Sequence, residues 1–230
     1  MEQAIKILAW IAAVFVMILS LPQLINILRT KKTGKINFTS FWIFHIGLLM
    51  WTFWSSFGGD ELQPTLVANS VCLFLYTIMI GLLYFFKKEF SLFKKKVAYS
   101  VLVLILLVWL SFIISRSLSS FKWDSGTQTA MALIFPALTT FAFLPQLIYS
   151  WRHKQWKGIS IWMYVVYELN NIVWIIWWIL LIAFTAGTSN VGPYVGGLMW
   201  QLISFTLFGI QFVYTFKYTK KSEIKKVNTK

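Results

Sequence analysis

Long apolar runs separated by short polar clusters dominate this chain. Seven runs reach the roughly 20 residues that an α-helix needs to span a bilayer: 7–28, 38–57, 64–86, 97–115, 128–151, 160–184 and 193–216. They consume most of the 230 residues, so no separate water-soluble domain is expected. The first run follows Lys6 and exceeds the roughly 7–15 apolar residues of a signal peptide, so it is read as a retained helix. The expected fold class is an all-α membrane protein with seven transmembrane helices.

Composition agrees with lipid as the main solvent. Only 12% of residues are charged and 58% are hydrophobic, against about 25% charged in an average soluble domain. The formal net charge of +14 would suggest nucleic acid in a soluble protein, but its placement argues otherwise. Arg29, Lys31, Lys32 and Lys35 follow the first run, and Lys87, Lys88, Lys94, Lys95 and Lys96 the third. Arg152, Lys154 and Lys157 follow the fifth, and Lys217, Lys220, Lys221, Lys225, Lys226 and Lys230 form a tail. Eighteen of the 21 basic residues thus fall on alternate loops. Excess Lys and Arg marks the cytoplasmic side, which places the N-terminus outside and the C-terminus in the cytoplasm. Contact with anionic lipid accounts for the charge, and nucleic acid is not an expected partner. The lysine-rich, arginine-poor content and the lack of a sorting signal point to the cell membrane of a bacterium.

The chain also repeats itself. Leu21-Pro22-Gln23-Leu24-Ile25 recurs as Leu144-Pro145-Gln146-Leu147-Ile148, a shift of 123. The same shift pairs Arg29 with Arg152, Lys31 with Lys154, Ile36 with Ile159, Trp51 with Trp174 and Trp54 with Trp177; Gly34 and Gly158 miss it by one. Duplication follows. Each half has three spans, so direct fusion would invert the second half; the fourth span restores its orientation. Two parallel three-helix bundles joined by a linker helix (3+1+3) result. The expected division is a first repeat over 1–90, a linker helix over 91–122, a second repeat over 123–218 and a basic cytoplasmic tail over 219–230. Parallel repeats about an axis normal to the membrane are a transporter plan, with the site near midplane between the halves.

Two Pro-Gln dipeptides at the ends of matched helices, each followed by a basic loop, resemble the PQ-loop family, which includes the SWEET sugar transporters, their half-size bacterial relatives and lysosomal amino-acid exporters. The resemblance covers essentially the whole chain and implies a transporter of a small-molecule solute that works by alternating access.

Proline within a helix lacks the N–H that bonds four residues back. Pro22 therefore frees the carbonyl of Ile18 and Pro145 that of Phe141, with Gln23 and Gln146 as candidate partners for them. Two readings compete: a hinge on which helix halves pivot, or a static kink. The matched pair and the resemblance favour the hinge.

Glu168 is the one carboxylate inside a predicted span. It lies about eight residues past the start of the sixth run, roughly 12 Å deep at 1.5 Å per residue. Tyr164, Glu168 and Asn171 share a helical face, with Asn170 beside them. An ionisable group inside a membrane is by default a functional candidate. At the 123 shift its mate is His45, the one histidine inside a span. Proton coupling competes here with a gate or a structural hydrogen bond.

Tryptophans form the third cluster. Trp10, Trp42, Trp123, Trp151, Trp156 and Trp162 fit interfacial anchoring, whereas Trp51 and Trp174 are deeper and repeat-matched. In sugar-transporting members, tryptophans of the second and sixth helices and asparagines of the third and seventh hold the solute. The resemblance therefore implies solute contacts for Trp51, Trp174 and Asn69, with Gln201 and neighbouring Trp200 where the second asparagine would stand. Asn171 joins this substrate-binding set. Packing or lipid-facing tryptophan is the competing reading. The second and sixth spans lack the prolines of plant-type sugar members, and a sugar role for Glu168 is not evident.

Other classes fare worse. No lysine lies between Gly192 and Phe216, which excludes a retinal Schiff base. A seven-helix PQ-loop receptor for a peptide carboxylate needs several inward arginines, and Arg29, Arg116 and Arg152 all lie near span ends. No nucleophile–base or metal-ligand constellation appears, so neither an enzyme nor a cofactor is expected. A sugar transporter is favoured; a proton-coupled carrier of an amino acid or vitamin-like heterocycle is the alternative.

Overall fold

A computed structural model of the chain describes residues 2–33, 36–153, 160–187 and 191–227, with side chains as far as Tyr218. The repeat positions Gly34, Lys154, Gly158 and Ile159, the basic residues Lys35, Lys157 and Lys230, and Trp156 lie outside the described residues. The tail lysines from Lys220 to Lys226 lie outside the described side chains.

The described elements are α-helices apart from a short 3₁₀ turn at Asp60–Leu62. In order they are α1 (Glu2–Ile18), α2 (Leu21–Thr30), α3 (Phe38–Phe57), α4 (Gln63–Phe86), α5 (Leu92–Leu118), α6 (Ser125–Phe141), α7 (Leu144–His153), α8 (Ile161–Thr185) and α9 (Val191–Val227). α9 runs past the expected end of its span into the basic tail. Lys, Glu and Ile between Lys220 and Val227 are tolerated in helices, and no Gly or Pro intervenes to stop it.

Six segments are long and apolar enough to cross a membrane: Glu2–Thr30, Asp60–Phe86, Leu92–Leu118, Ser125–His153, Ile161–Thr185 and Val191–Tyr218. The expected second span, α3, is not among them. Its 20 residues include three tryptophans, His45 and several Ser and Thr, and twelve of them are buried. Polar groups are affordable there because protein, not lipid, surrounds that helix.

The two Pro-Gln helices are broken rather than bent. α1 ends at Ile18 and α2 starts at Leu21; α6 ends at Phe141 and α7 starts at Leu144. The prolines thus sit not inside a helix, as expected, but in the first turn of a new one, where the missing N–H is one of the orphans anyway. The first bond of each new helix is symmetric: Leu24 N–H to the Ser20 carbonyl and Leu147 N–H to the Phe143 carbonyl, both at 2.9 Å. α2 closes at Lys31, whose left-handed backbone (φ 51°) lets its N–H reach the Ile27 carbonyl.

Six helices close a ring. α1 packs on α4, α4 on α3, α3 on α6, α6 on α9, α9 on α8, and α8 back on α1. Within the ring the halves meet where α1 packs on α8 and α3 on α6, and the short helices add α2 with α8 and α7 with α3. α5 packs outside the ring on α3 and α4 and buries only Ala98, Leu102 and Ile105. Its Arg116 guanidinium donates to the carbonyls of Ser55 (3.3 Å) and Ser56 (2.8 Å), satisfying the end of α3.

Close approach of α3 to α6 depends on Gly47. A Cβ there would lie 2.6 Å from Thr139 Cγ2 and 3.0 Å from its backbone nitrogen. Gly81, whose nearest neighbours would be 3.9 Å away, is under no such constraint. Gly47→Ala is expected to lower the thermal unfolding midpoint in detergent, with about 1–3 kcal/mol lost to overpacking. Gly81→Ala should leave the midpoint unchanged or raise it.

Candidate functional site

All six ring helices line one central cavity of about 80 Å³. Its walls carry Trp51 of α3, Trp174 and Trp178 of α8, and Trp200 of α9. Amides come from Asn69 of α4, Asn170 and Asn171 of α8, and Gln201 of α9. Hydroxyls come from Thr65, Thr139, Thr140 and Ser204; Val16, Leu19, Leu48, Pro136 and Gly197 add apolar surface, and Phe44, Tyr167 and Phe208 complete the lining. A volume of this size holds several waters, at about 10–15 Å³ for the first. It is smaller than the roughly 300 Å³ from which ligand pockets begin.

Two of the tryptophans are positioned by hydrogen bonds to α6. Trp51 Nε1 donates to Thr139 Oγ1 at 3.2 Å, and that hydroxyl donates to the Pro136 carbonyl at 3.0 Å. Trp200 Nε1 donates to the Leu133 carbonyl at 2.8 Å, in the helical turn before Pro136. Trp174 meets Trp177 edge to face at 5.0 Å, and Trp177 Nε1 is tied to the Ile5 carbonyl. Gly197 faces Trp178 so closely that a Cβ would lie 2.6 Å from the ring. The aromatic faces are thus fixed by partners on other helices.

The amides are less fully engaged. Gln201 Nε2 donates to Asn171 Oδ1, which ties α9 to α8 across the cavity. Asn69 Nδ2 donates to the Thr65 carbonyl at 2.8 Å. Asn170 Oδ1 and Asn171 Nδ2 are buried without a partner. Toward the starts of α3 and α8, the cavity ends on an aromatic cluster. Phe44 meets Tyr76, Phe143 and Tyr167 at 5.0–5.8 Å, and Tyr167 stacks on Phe208 at 4.3 Å.

His45 and Glu168 stand outside the lining. His45, fully buried, turns to α4: Nε2 lies 3.2 Å from Thr77 Oγ1 and the ring stacks on Tyr76 at 5.8 Å. Glu168 turns to α9, beside Gly209, with the Asn171 amide near its carboxyl; its Oε1 has no partner. Tyr164 hydrogen-bonds Thr215. Each ionisable group therefore lies between the second and third helices of its own half, and no ion pair joins His45 to Glu168 among the described residues.

Gln23 and Gln146 do something the residue pattern did not suggest. Rather than meeting the carbonyls near the prolines, each side-chain carbonyl accepts an N–H from the other half. Gln23 Oε1 accepts from Ser160 N–H at 2.9 Å, and Gln146 Oε1 accepts from Asn37 N–H at 2.6 Å. Asn37 and Ser160 are the N-cap residues of α3 and α8, and they match under the 123 shift. In a capping box the glutamate or glutamine three residues into the helix performs this task; α3 and α8 have Ser40 and Met163 there. Each half thus completes the helix cap of the other.

The PQ loop repeat family model matches residues 4–63 and 129–186, more than half of the chain and both motifs. The chain belongs to the PQ-loop family. It is a multi-pass membrane protein built on two PQ-loop repeats. The sugar transporter SemiSWEET of Leptospira biflexa serovar Patoc is similar: 28% identical over 75 residues, covering 33% of this chain and 86% of that protein.

The two PQ-loop glutamines differ in one respect. Gln146 Nε2 also donates to Ser150 Oγ at 3.0 Å, and Ser40 Oγ accepts the Gln146 N–H at 3.1 Å. Residue reasoning also missed Thr139 and Pro136; both align with apolar residues, Val16 and Ala13, so a search for repeat-matched polar groups passes over them. Gln146→Leu should destabilise by about 1–3 kcal/mol for the N–H left unpartnered, and more than Gln23→Leu, which loses one side-chain bond instead of two. Equal midpoints for both variants and the unaltered protein, measured by thermal unfolding, would refute the crossed caps.

Proposed function

We propose that this chain transports a small neutral solute rich in hydroxyl groups, a sugar foremost, by alternating access of its two PQ-loop repeats. The observation that carries the reading is the cavity lining: tryptophan faces, amides and hydroxyls, with no charged side chain among the residues that line it. Aromatic faces bind the apolar faces of a ring while amides and hydroxyls pair with its polar edge. An amino acid would bring two charges into a site with no counter-charge, at a desolvation cost that nothing there offsets. The similarity to a protein named as a sugar transporter supports the same choice. A flat neutral heterocycle is the second reading, favoured by the four tryptophans.

In this reading Trp51, Trp174, Trp200, Asn69, Asn171 and Gln201 bind the solute. Residues 1–90 and 123–218 act as parallel three-helix units, and the helix within 91–122 sets their relative orientation. The charge bias puts the N-terminus outside and the C-terminus in the cytoplasm. The breaks before Pro22 and Pro145 serve as pivots, because each proline lacks the N–H that would bond across the break.

A thermal-shift screen tests the substrate class, since only ligands of the folded state stabilise it. Neutral sugars should raise the unfolding midpoint, and Trp51→Ala or Trp174→Ala should abolish the rise. Stabilisation by amino acids alone, or a rise that survives both variants, would sink the assignment. For the pivots, Pro22→Ala and Pro145→Ala should fold but slow uptake into proteoliposomes several-fold; unaltered rates would count against them.

A further inference from the structure

The two repeats serve as each other's control. The 123 shift aligns α3 with α8. Two contacts align the third helices: Phe44–Tyr76 corresponds to Tyr167–Phe208, and His45–Thr77 to Glu168–Gly209. Both give a shift of 132 for α4 onto α9 (208 − 76 and 209 − 77). Under these registers the aromatic level is balanced: each repeat buries one tyrosine hydroxyl without a partner, Tyr76 in the first and Tyr167 in the second. On the side of that level away from the cavity the repeats differ. On α3 and α4 stand Phe41, Met79 and Leu83, and at the matching places of α8 and α9 stand Tyr164, Gln211 and Thr215. All six are buried.

Packing does not require the polar set, because the first repeat fills the same places with hydrocarbon. Nor do the polar groups satisfy one another here. Tyr164 reaches Thr215, but the Tyr167 hydroxyl and Gln211 Oε1 are buried without a partner. Gln211 is 3% exposed. It lies one turn from Phe208, which stacks on Tyr167, and one turn from Thr215. The facing sides of α8 and α9 therefore carry polar groups on both sides of the Tyr167–Phe208 stack. They start at the cavity pair Asn171–Gln201 and run toward the end where α8 begins. A buried polar atom without a partner is costly, and such atoms are retained where another conformation solvates them.

We propose that the second repeat carries the solute's passage: a lane along α8 and α9, from Asn171 and Gln201 past Tyr167 to Gln211, Tyr164 and Thr215, that is hydrated when the ring opens and receives a hydroxyl-rich solute between the cavity and that end of the bundle. At the matching places of α3 and α4, Phe41, Met79 and Leu83 form an apolar wall against which the moving repeat closes. The lane rests on the transport reading. It adds that passage is one-sided, although the fold is nearly symmetric.

Substituted cysteines test it in proteoliposomes, in a Cys72→Ala background. Gln211→Cys should react with a small water-soluble methanethiosulfonate at least tenfold faster than Met79→Cys, its mate in the first repeat. A bound sugar that fills the cavity should slow the reaction. Equal rates at both positions, or no reaction at either, would overturn the lane. Gln211→Met, which installs the residue the first repeat already accommodates, should fold, keep the solute affinity read by thermal shift, and lower the uptake rate several-fold; an unchanged rate would also overturn it. Labelling needs no transported solute, so a failed ligand screen and a failed lane are separate results.

Discussion

A helix that begins inside a bundle leaves backbone N–H groups without partners, and here each repeat supplies what the other lacks. The carbonyls of Gln23 and Gln146 take the N-cap N–H groups of α8 and α3. Without them, those ends would need water or a side chain of their own, and neither helix has the usual glutamate or glutamine in its first turn. The glutamines reach across from the short helices that start just before each proline, at Leu21 and Leu144. Proline, glutamine and break therefore form one device: the break aims the short helix, proline costs nothing at its start, and glutamine ties it to the opposite repeat.

At the centre of the ring the helices converge on eight tryptophan and amide side chains, and the space left between them is about 80 Å³. Its aromatic walls are held by bonds to α6, Ile5 and neighbouring tryptophans, so shape is set by rigid partners. Its amides are left partly free. That combination suits recognition, because the free donors and acceptors are those a ligand would use.

Symmetry in the backbone coexists with asymmetry in the chemistry. His45 is paired with Thr77, whereas Glu168 faces the bare backbone of Gly209. Leu48 matches Asn171, and Met79 matches Gln211. Duplicated backbones can diverge in this way because a buried position tolerates any side chain of suitable volume whose polar atoms find partners.

Composition and periodicity alone determined that the chain is helical, embedded in a membrane and duplicated. Apolar runs of spanning length have no other stable solution in lipid, and a five-residue identity at a constant shift records duplication. The family resemblance, carried by the paired Pro-Gln motifs, pointed to Trp51, Trp174, Asn69, Asn171, Trp200 and Gln201, which the fold brings to one cavity. Tertiary structure decided the rest. A proline reads alike as a kink or as the first turn of a new helix, and only the packing of α2 and α7 makes it the latter. The crossed caps join residues 137 and 109 positions apart, beyond any local pattern. His45 and Glu168 were legible as unusual, but which way they turn depends on the register of the third helices. That register obeys a shift of 132 instead of 123, and it emerges only when the side chains of α4 and α9 are packed against their neighbours.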